Sequence, residues 1–141
     1  MEHPKAVGDR STLAVMLALQ RAGYIVLLPF GENTRCDLVI ENGTSFARVQ
    51  CKTGRLRGGA VRFAACSSYA HHSNPSLTRR DYLGEIEFFG VYCPETGGVY
   101  LVPISGRPNP APGCLKSRGY TQRAIAQHPD GRDLRDRELR A

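Results

Sequence analysis

A carboxylate, an amide and an ammonium group are closely spaced in the first half of the chain. Asp37 stands near the start of one short apolar segment, and Gln50 and Lys52 stand near the end of the next. The Asn42-Gly43 dipeptide between the two segments is a strong β-hairpin signal, because both residue types tolerate positive φ. We therefore expect a hairpin that brings the three polar side chains onto neighbouring strands.

A two-residue turn at 42–43 decides which residues face each other across this hairpin. It pairs Asp37 with Arg48 and Val39 with Phe46, and the alternation of side chains along a strand then assigns every residue to a face. The polar face carries Asp37, Phe46, Arg48, Gln50 and Lys52. The opposite, apolar face carries Leu38, Ile40, Ala47, Val49 and Cys51. A slip of one residue would bury the charges, so this pattern specifies the register strongly.

The polar face has the groups that phosphodiester hydrolysis requires. Asp37 offers hard carboxylate oxygens to Mg²⁺, and the side-chain carbonyl of Gln50 and the backbone carbonyl of Cys51 offer further oxygens. A bound Mg²⁺ activates water and neutralises phosphate charge, while the ammonium group of Lys52 stabilises developing negative charge. We predict Asp37, Gln50 and Lys52 as catalytic residues, and Asp37, Gln50 and Cys51 as metal ligands. The alternative is that Asp37 is a structural acid paired with Arg48.

The order of these residues resembles the PD-(D/E)XK nuclease signature. Asp37 is followed, after twelve intervening residues, by Gln50-Cys51-Lys52, with glutamine in place of the second acid. Together with the preceding PFGEN loop at 29–33, this form is similar to a small group that includes a group I intron-encoded homing endonuclease. A looser similarity extends to archaeal Holliday junction resolvases. The resemblance runs from about Lys5 to Ile104.

The resemblance implies an α/β fold, with a restriction-endonuclease-like mixed sheet of four to five strands and a flanking N-terminal helix. It implies a Mg²⁺-dependent DNA endonuclease, with Asp37 and Gln50 as metal ligands and Lys52 as the catalytic lysine. Members of this group usually carry a glutamate on the first helix, a few residues after a Gly-Asp pair. Here Gly8-Asp9 is present, but Thr12 or a neighbour fills the glutamate position. A catalytically impaired nucleic-acid-binding module on the same fold is therefore the alternative function.

Apolar spacing and turn residues predict the elements that position this site. Apolar residues between 13 and 17 recur at helical spacing, with Asp9 or Ser11 as the expected cap and Gly23 as the expected stop. The segment 24–29 is expected to be a buried strand, and the polar stretch 67–80 a long loop. The remaining predicted strands are 36–41, 46–52, 61–65, 86–92 and 99–104, the last two joined by a turn at 94–98.

The charge of the chain favours a polyanionic partner. Lys and Arg number 19 against 13 Asp and Glu, which gives a net charge of +6. Arg55, Arg57 and Arg62 come soon after Lys52, the first two in a flexible, Gly-rich segment that is expected to leave the sheet. With Arg48, we predict that they bind DNA through its phosphates, although an ordinary solvated face is an equal alternative for the three.

The chain length of 141 residues is typical of a single domain. We predict an endonuclease-like domain over 1–105 and a weakly packed or disordered basic tail over 106–141, because closely spaced prolines and alternating charges leave little apolar surface to bury. Cutting both strands of DNA with so small a domain is expected to require a homodimer.

The five cysteines are odd in number and contain no CxxC pair, which favours a reducing compartment and a cytoplasmic location. No apolar run reaches membrane-spanning length, so no membrane partner is expected. A zinc hydrolase built on Cys66, His71 and His72 is a weaker alternative, since their spacing matches no standard zinc site.

Overall fold

The computed structural model describes residues 1–65, 67–68, 79–80 and 82–104 of the chain. Within these residues, one helix and five main strands form the centre, and four short strands lie in the connection between the third and fourth main strands. In chain order the elements are α1 (Pro4–Arg21), β1 (Ile25–Leu27), β2 (Leu38–Glu41), β3 (Phe46–Thr53), β4 (Arg55–Arg57), β5 (Ala60–Arg62), β6 (Ser67–Ser68), β7 (Arg79–Arg80), β8 (Phe88–Cys93) and β9 (Gly98–Pro103).

The main sheet is mixed and has the strand order β1-β2-β3-β8-β9. Only the central β3–β8 pair within it is parallel, and the other neighbours are antiparallel. Strands β4 and β5 pair with each other outside this sheet, as do β6 and β7. The predicted α/β class, with a mixed sheet and a flanking N-terminal helix, is confirmed.

The helix begins earlier than its sequence predicts. His3 is the N-cap, and its Nδ1 accepts a hydrogen bond from the Lys5 backbone N–H at 3.2 Å. Pro4 fits the first turn, where no N–H is needed for the helix ladder. The predicted start near Asp9 is therefore wrong. The predicted stop is confirmed, since Gly23 follows the helix with a φ of +94°.

The inward face of α1 also differs from the apolar positions that predicted the helix. Leu13 and Leu17 are 64% and 51% exposed, while Ser11, Val15 and Leu19 are buried. A Cβ on Gly90 would lie 2.6 Å from Val15 Cγ1, so a glycine in β8 permits this close approach of helix to sheet. The helical period identified the element, but a distant residue decides which side packs.

The β2–β3 hairpin is shifted by two residues from its predicted register. Val39 pairs with Arg48 and Glu41 with Phe46, so the predicted pairing of Asp37 with Arg48 is wrong. Because the shift is an even number of residues, every side chain keeps its predicted face.

A four-residue turn causes the shift. The Asn42 side-chain oxygen accepts the backbone N–H groups of Thr44 and Ser45, each at 3.0 Å, and the Asn42 N–H bonds the Ser45 carbonyl at 3.3 Å. In this Asx-type turn the Asn42 side chain satisfies the Thr44 and Ser45 amides. In a two-residue turn these amides would depend on backbone carbonyls across the hairpin. Gly43 has a φ of +96°, whereas Asn42 does not take the positive φ of a type I′ turn.

Apolar residues are buried on both sides of the sheet. The α1 side includes the predicted apolar face of the hairpin, which is confirmed as buried: Leu38, Ile40, Ala47, Val49 and Cys51. The opposite side is covered by residues that include Val61, Phe63, Tyr82 and Ile86, packed around Phe89. Strand β1 is an edge strand with Ile25 58% exposed, so its predicted burial is wrong. Among the described residues, no helix combines the length and apolarity needed to cross a membrane.

Candidate active site

Asp37 is half-buried, lies one residue before β2 and is hydrogen-bonded to the neighbouring strand β3. Its backbone N–H bonds the Val49 carbonyl at 2.9 Å, and its Oδ2 accepts the Cys51 N–H at 2.8 Å. Continuing the β2–β3 register by one residue places Asp37 opposite Gln50. Burial raises the pKa of Asp37, against the opposing effects of the Cys51 N–H and the Lys52 charge. The carboxylate is therefore fixed in orientation and placed where a cation stabilises its ionised form.

Gln50 and Lys52 lie on the same side of β3 as the Asp37 carboxylate, and both are half-buried. Lys52 Nζ lies 3.3 Å from the Tyr82 hydroxyl oxygen. No hydrogen bond to the Gln50 side-chain amide is present within the described residues. The hairpin thus brings together the three predicted catalytic residues on one face.

Cys51 lies between them in sequence, but its thiol points to the helix side. Burial raises the pKa of this thiol to about 12, with a further contribution from the Asp37 charge. The thiol is therefore protonated near neutral pH and is a poor metal ligand there. Only the backbone carbonyl of Cys51 remains as the oxygen predicted for the metal.

The Arg48 side chain forms contacts within the fold. Its Nη2 lies 2.7 Å from Glu87 Oε1 and also donates to the Gly84 carbonyl at 3.2 Å. Although burial opposes the effect, hydrogen bonds from Arg48 hold the pKa of Glu87 below its ordinary value. The alternative pairing of Asp37 with Arg48 does not occur, since this guanidinium bonds a different acid.

The other predicted DNA-binding arginines form one face of a second hairpin. Arg55 pairs directly with Arg62, and Arg57 pairs with Ala60. The turn is Gly58-Gly59, whose φ angles of +56° and +76° suit a two-residue type I′ turn. All three arginine side chains are exposed. The segment leaves the main sheet as predicted, but it is a paired hairpin rather than an irregular loop.

Hydroxyl groups occupy the part of α1 that lies against β3. Ser11 Oγ and Thr53 Oγ1 are 2.6 Å apart, and the Thr12 hydroxyl donates to the Gly8 carbonyl at 3.1 Å. Within the described ranges, no group of three or more His, Cys, Asp or Glu residues is placed to hold a metal ion. The oxygen donors at the site are therefore one carboxylate, one amide and one backbone carbonyl. The alternative zinc residues Cys66, His71 and His72 lie outside the described residues.

Tyr82 is the residue of this site that the sequence did not identify. Tyr82 is only 3% exposed, and its ring packs edge-on against Phe89 with the ring centroids 5.7 Å apart. Its hydroxyl nevertheless reaches Lys52, 30 residues away in the sequence. No local spacing signal connects two residues across so long a crossover.

A helix packed on a mixed sheet, with Asp37 and the Gln-x-Lys triplet on adjacent strands, defines a nuclease fold of the PD-(D/E)XK type. The family model described as PD-(D/E)XK endonuclease matches residues 2–111, which is more than half of the sequence, and the chain belongs to this family. Both the predicted resemblance and the nuclease class are thereby confirmed.

A solved structure has the same fold. It is titled as a bacterial homing endonuclease, I-Ssp6803I, and aligns with a TM-score of 0.63 and 23% sequence identity. The alignment covers 74% of this chain and 71% of that one. A search of curated proteins finds no match.

Proposed function

We propose that this protein is a Mg²⁺-dependent DNA endonuclease in which Asp37, Gln50 and Lys52 are the catalytic residues. One observation carries the proposal: a carboxylate fixed by a backbone amide shares a strand face with an ammonium group, in a chain of an endonuclease family. Charges held in place before the reaction stabilise a transition state without reorganisation.

The oxygen donors fit Mg²⁺. The Cys51 N–H holds Asp37 Oδ2, while no hydrogen bond to Asp37 Oδ1 or to the Gln50 amide lies within the described residues. Mg²⁺ prefers oxygen ligands, keeps several waters and binds through few protein groups together with substrate phosphates. Asp37, Gln50 and the Cys51 carbonyl would hold it. When bound, it supplies a Lewis acid that activates water and neutralises phosphate charge.

The protein groups have separate tasks in this proposal. Asp37 binds the cation in its ionised form, which the nearby Lys52 charge favours. Lys52 places a compact positive charge beside the scissile phosphate and stabilises the charge that develops on its oxygens. Gln50 contributes a neutral oxygen, so the site neutralises less of the cation's charge than a two-carboxylate site would.

The exposed arginines of the second hairpin bind the DNA phosphates in this proposal. Arg55, Arg57 and Arg62 share one face of the β4–β5 hairpin, directly after the strand that carries Lys52. Like charges placed opposite each other destabilise a sheet, and binding of phosphates relieves this repulsion. Arg48, tied to Glu87 but 43% exposed, adds positive potential. We further propose a homodimer, because each copy carries one site and a duplex has two strands.

A second function is favoured by one observation. Asp37 is the one carboxylate of the candidate site, and within the described residues no group of three or more His, Cys, Asp or Glu residues is placed to hold a metal ion. A protein with too weak a metal site would bind DNA without cutting it.

Plasmid nicking by the purified full chain separates the two functions. Nicking with Mg²⁺ that EDTA abolishes, and that is absent in Asp37→Asn, supports the endonuclease. DNA binding without nicking at any Mg²⁺ concentration supports the binding module. Absence of both binding and nicking in a folded protein would overturn both proposals.

A further inference from the structure

The turn that precedes β8 is tied to the catalytic hairpin at several points. The Glu87 N–H bonds the Arg48 carbonyl at 3.0 Å, and Glu87 Oε2 accepts the Arg48 backbone N–H at 2.6 Å. Glu85 forms an ion pair with Arg35, which lies two residues before Asp37. We name residues 82–87 the clamp turn. These bonds fix its backbone relative to both strands that carry the candidate site.

Tyr82, the first residue of the clamp turn, is itself fixed on several sides. Its carbonyl accepts the Glu85 N–H at 3.0 Å, which closes the turn. Its ring packs edge-on against Phe89, and the Arg35 guanidinium lies over the ring at 4.0 Å from the centroid. The Tyr82 hydroxyl therefore has a defined position, and Lys52 Nζ lies 3.3 Å from it.

We propose that Tyr82 is a positioning residue for Lys52. The Tyr82 hydroxyl accepts a hydrogen bond from Lys52 Nζ and holds the ammonium group on the Asp37 side of the site. The proposal rests on the catalytic role proposed for Lys52. A lysine carries its charge on a flexible four-carbon stem with three rotatable donors. Fixing one of these donors to a rigid acceptor restricts the position of the ammonium group relative to a bound phosphate.

Tyr82→Phe tests the hydroxyl alone, because it keeps the ring. The ring packs on Phe89, lies beneath Arg35 and has Lys52 Nζ 4.9 Å from its centroid. We expect the single-turnover cleavage rate at saturating protein to fall about tenfold. The DNA dissociation constant and the melting temperature should stay close to wild type. Tyr100→Phe is the matched control, since its hydroxyl bonds Thr96 in the β8–β9 turn and its removal should leave the rate unchanged.

NMR of the lysine side-chain ammonium groups provides a readout that does not depend on cleavage. The order parameter of the Lys52 ammonium group should fall in Tyr82→Phe and stay at the wild-type value in Tyr100→Phe. Unchanged Lys52 order in Tyr82→Phe overturns the positioning role of the hydroxyl, whatever happens to the rate. A lower order with a wild-type rate also overturns it, because the contact then does not serve the reaction.

The two proposals fail in different ways. If Lys52→Ala cleaves DNA as well as wild type, the proposed function of Lys52 is wrong, and with it the catalytic importance of Tyr82. If Lys52→Ala is inactive while Tyr82→Phe cleaves at the wild-type rate, only the positioning role is wrong.

Discussion

Two hairpins follow each other in the chain, and their charged side chains differ in burial and in hydrogen bonding. In β2–β3, Asp37 and Lys52 are half-buried and each has a hydrogen-bond partner at a fixed place. In β4–β5, Arg55 and Arg62 stand exposed and directly opposite each other. Fixed groups in a half-buried site stabilise a transition state, whereas exposed cations attract a polyanion through its summed charge. Burial and hydrogen bonding, more than residue type, distinguish a reactive site from a binding surface.

The largest effect is expected from the fixed pair. Asp37→Asn and Lys52→Ala should each lower the DNA cleavage rate by about 10²–10³-fold, the loss typical for one preorganised electrostatic group. The asparagine oxygen can still accept the Cys51 N–H, so that variant should melt near the wild-type temperature. Plasmid nicking and thermal unfolding measure both properties. Wild-type cleavage by Asp37→Asn would show that the reaction does not require the Asp37 carboxylate.

A substitution at the junction of the hairpins should reduce stability. A Cβ on Gly54 would lie 2.6 Å from Val61 Cγ1 and 2.9 Å from Val91 Cγ1. Gly54→Ala therefore overpacks the contact of the β4–β5 hairpin with the sheet, and we expect a loss of about 1–3 kcal/mol in the free energy of unfolding. Gly8→Ala is the control, because a Cβ there meets nothing within 4 Å. Equal stability of both variants would mean that the second hairpin does not pack as described.

The exposed arginines should affect binding and its salt dependence rather than chemistry. Replacing Arg55 and Arg57 together with alanine should weaken binding evenly across DNA sequences. The slope of log K against log salt should fall by roughly one unit per lost phosphate contact. Arg10→Ala, on an exposed part of α1, removes one equal charge elsewhere as a control. A changed sequence preference in the double variant would indicate base contacts instead.

Protonation of Glu87 should release part of the clamp turn. Its pKa is lowered in the fold, so the charged pair with Arg48 contributes stability above the unfolded-state pKa near 4.5, and this contribution is lost as pH falls through the folded-state value. Both side chains are 43% exposed, which limits the contribution to about 0.5–1 kcal/mol. Denaturation at pH 7 should show Glu87→Gln to be less stable by this amount. The difference should shrink as the pH is lowered below 4.5, and an undiminished difference in acid would exclude a charge effect.

The smallest change is expected from removal of the predicted tail. Both hairpins and the clamp turn lie before residue 105. A chain ending at Ser105 should therefore melt cooperatively and keep its Mg²⁺ dependence, with some loss of non-specific DNA affinity. Calorimetry and nicking assays test this boundary, and loss of cooperative unfolding would show that residues 106–141 complete the core.

Side-chain alternation was the most reliable sequence signal for the candidate site. It placed Asp37, Gln50 and Lys52 on one face, and this assignment survived an error of two residues in the register. The error arose because the Asn42 side chain caps a four-residue turn, which the Asn-Gly dipeptide signal does not reveal.

Contacts between distant parts of the chain could not be predicted in this way. The inward side of α1 depends on the missing Cβ of Gly90, and the partner of Lys52 depends on how the clamp turn returns to β3. Local periodicity contains no information on either contact, because both are settled by packing across the crossover.

The parallel β3–β8 pair has a consequence for the order in which the site is assembled. The Asp37–Cys51 bond spans 14 residues within one hairpin, whereas Lys52 and Tyr82 are separated by 30 and Arg48 and Glu87 by 39. Closing longer loops costs more chain entropy and slows folding. We expect the hairpin to gain amide protection early in refolding and the Glu87 amide to gain it late, which pulsed hydrogen exchange can measure. In a newly made chain the proposed metal ligands would then be in place before Tyr82 fixes the Lys52 side chain.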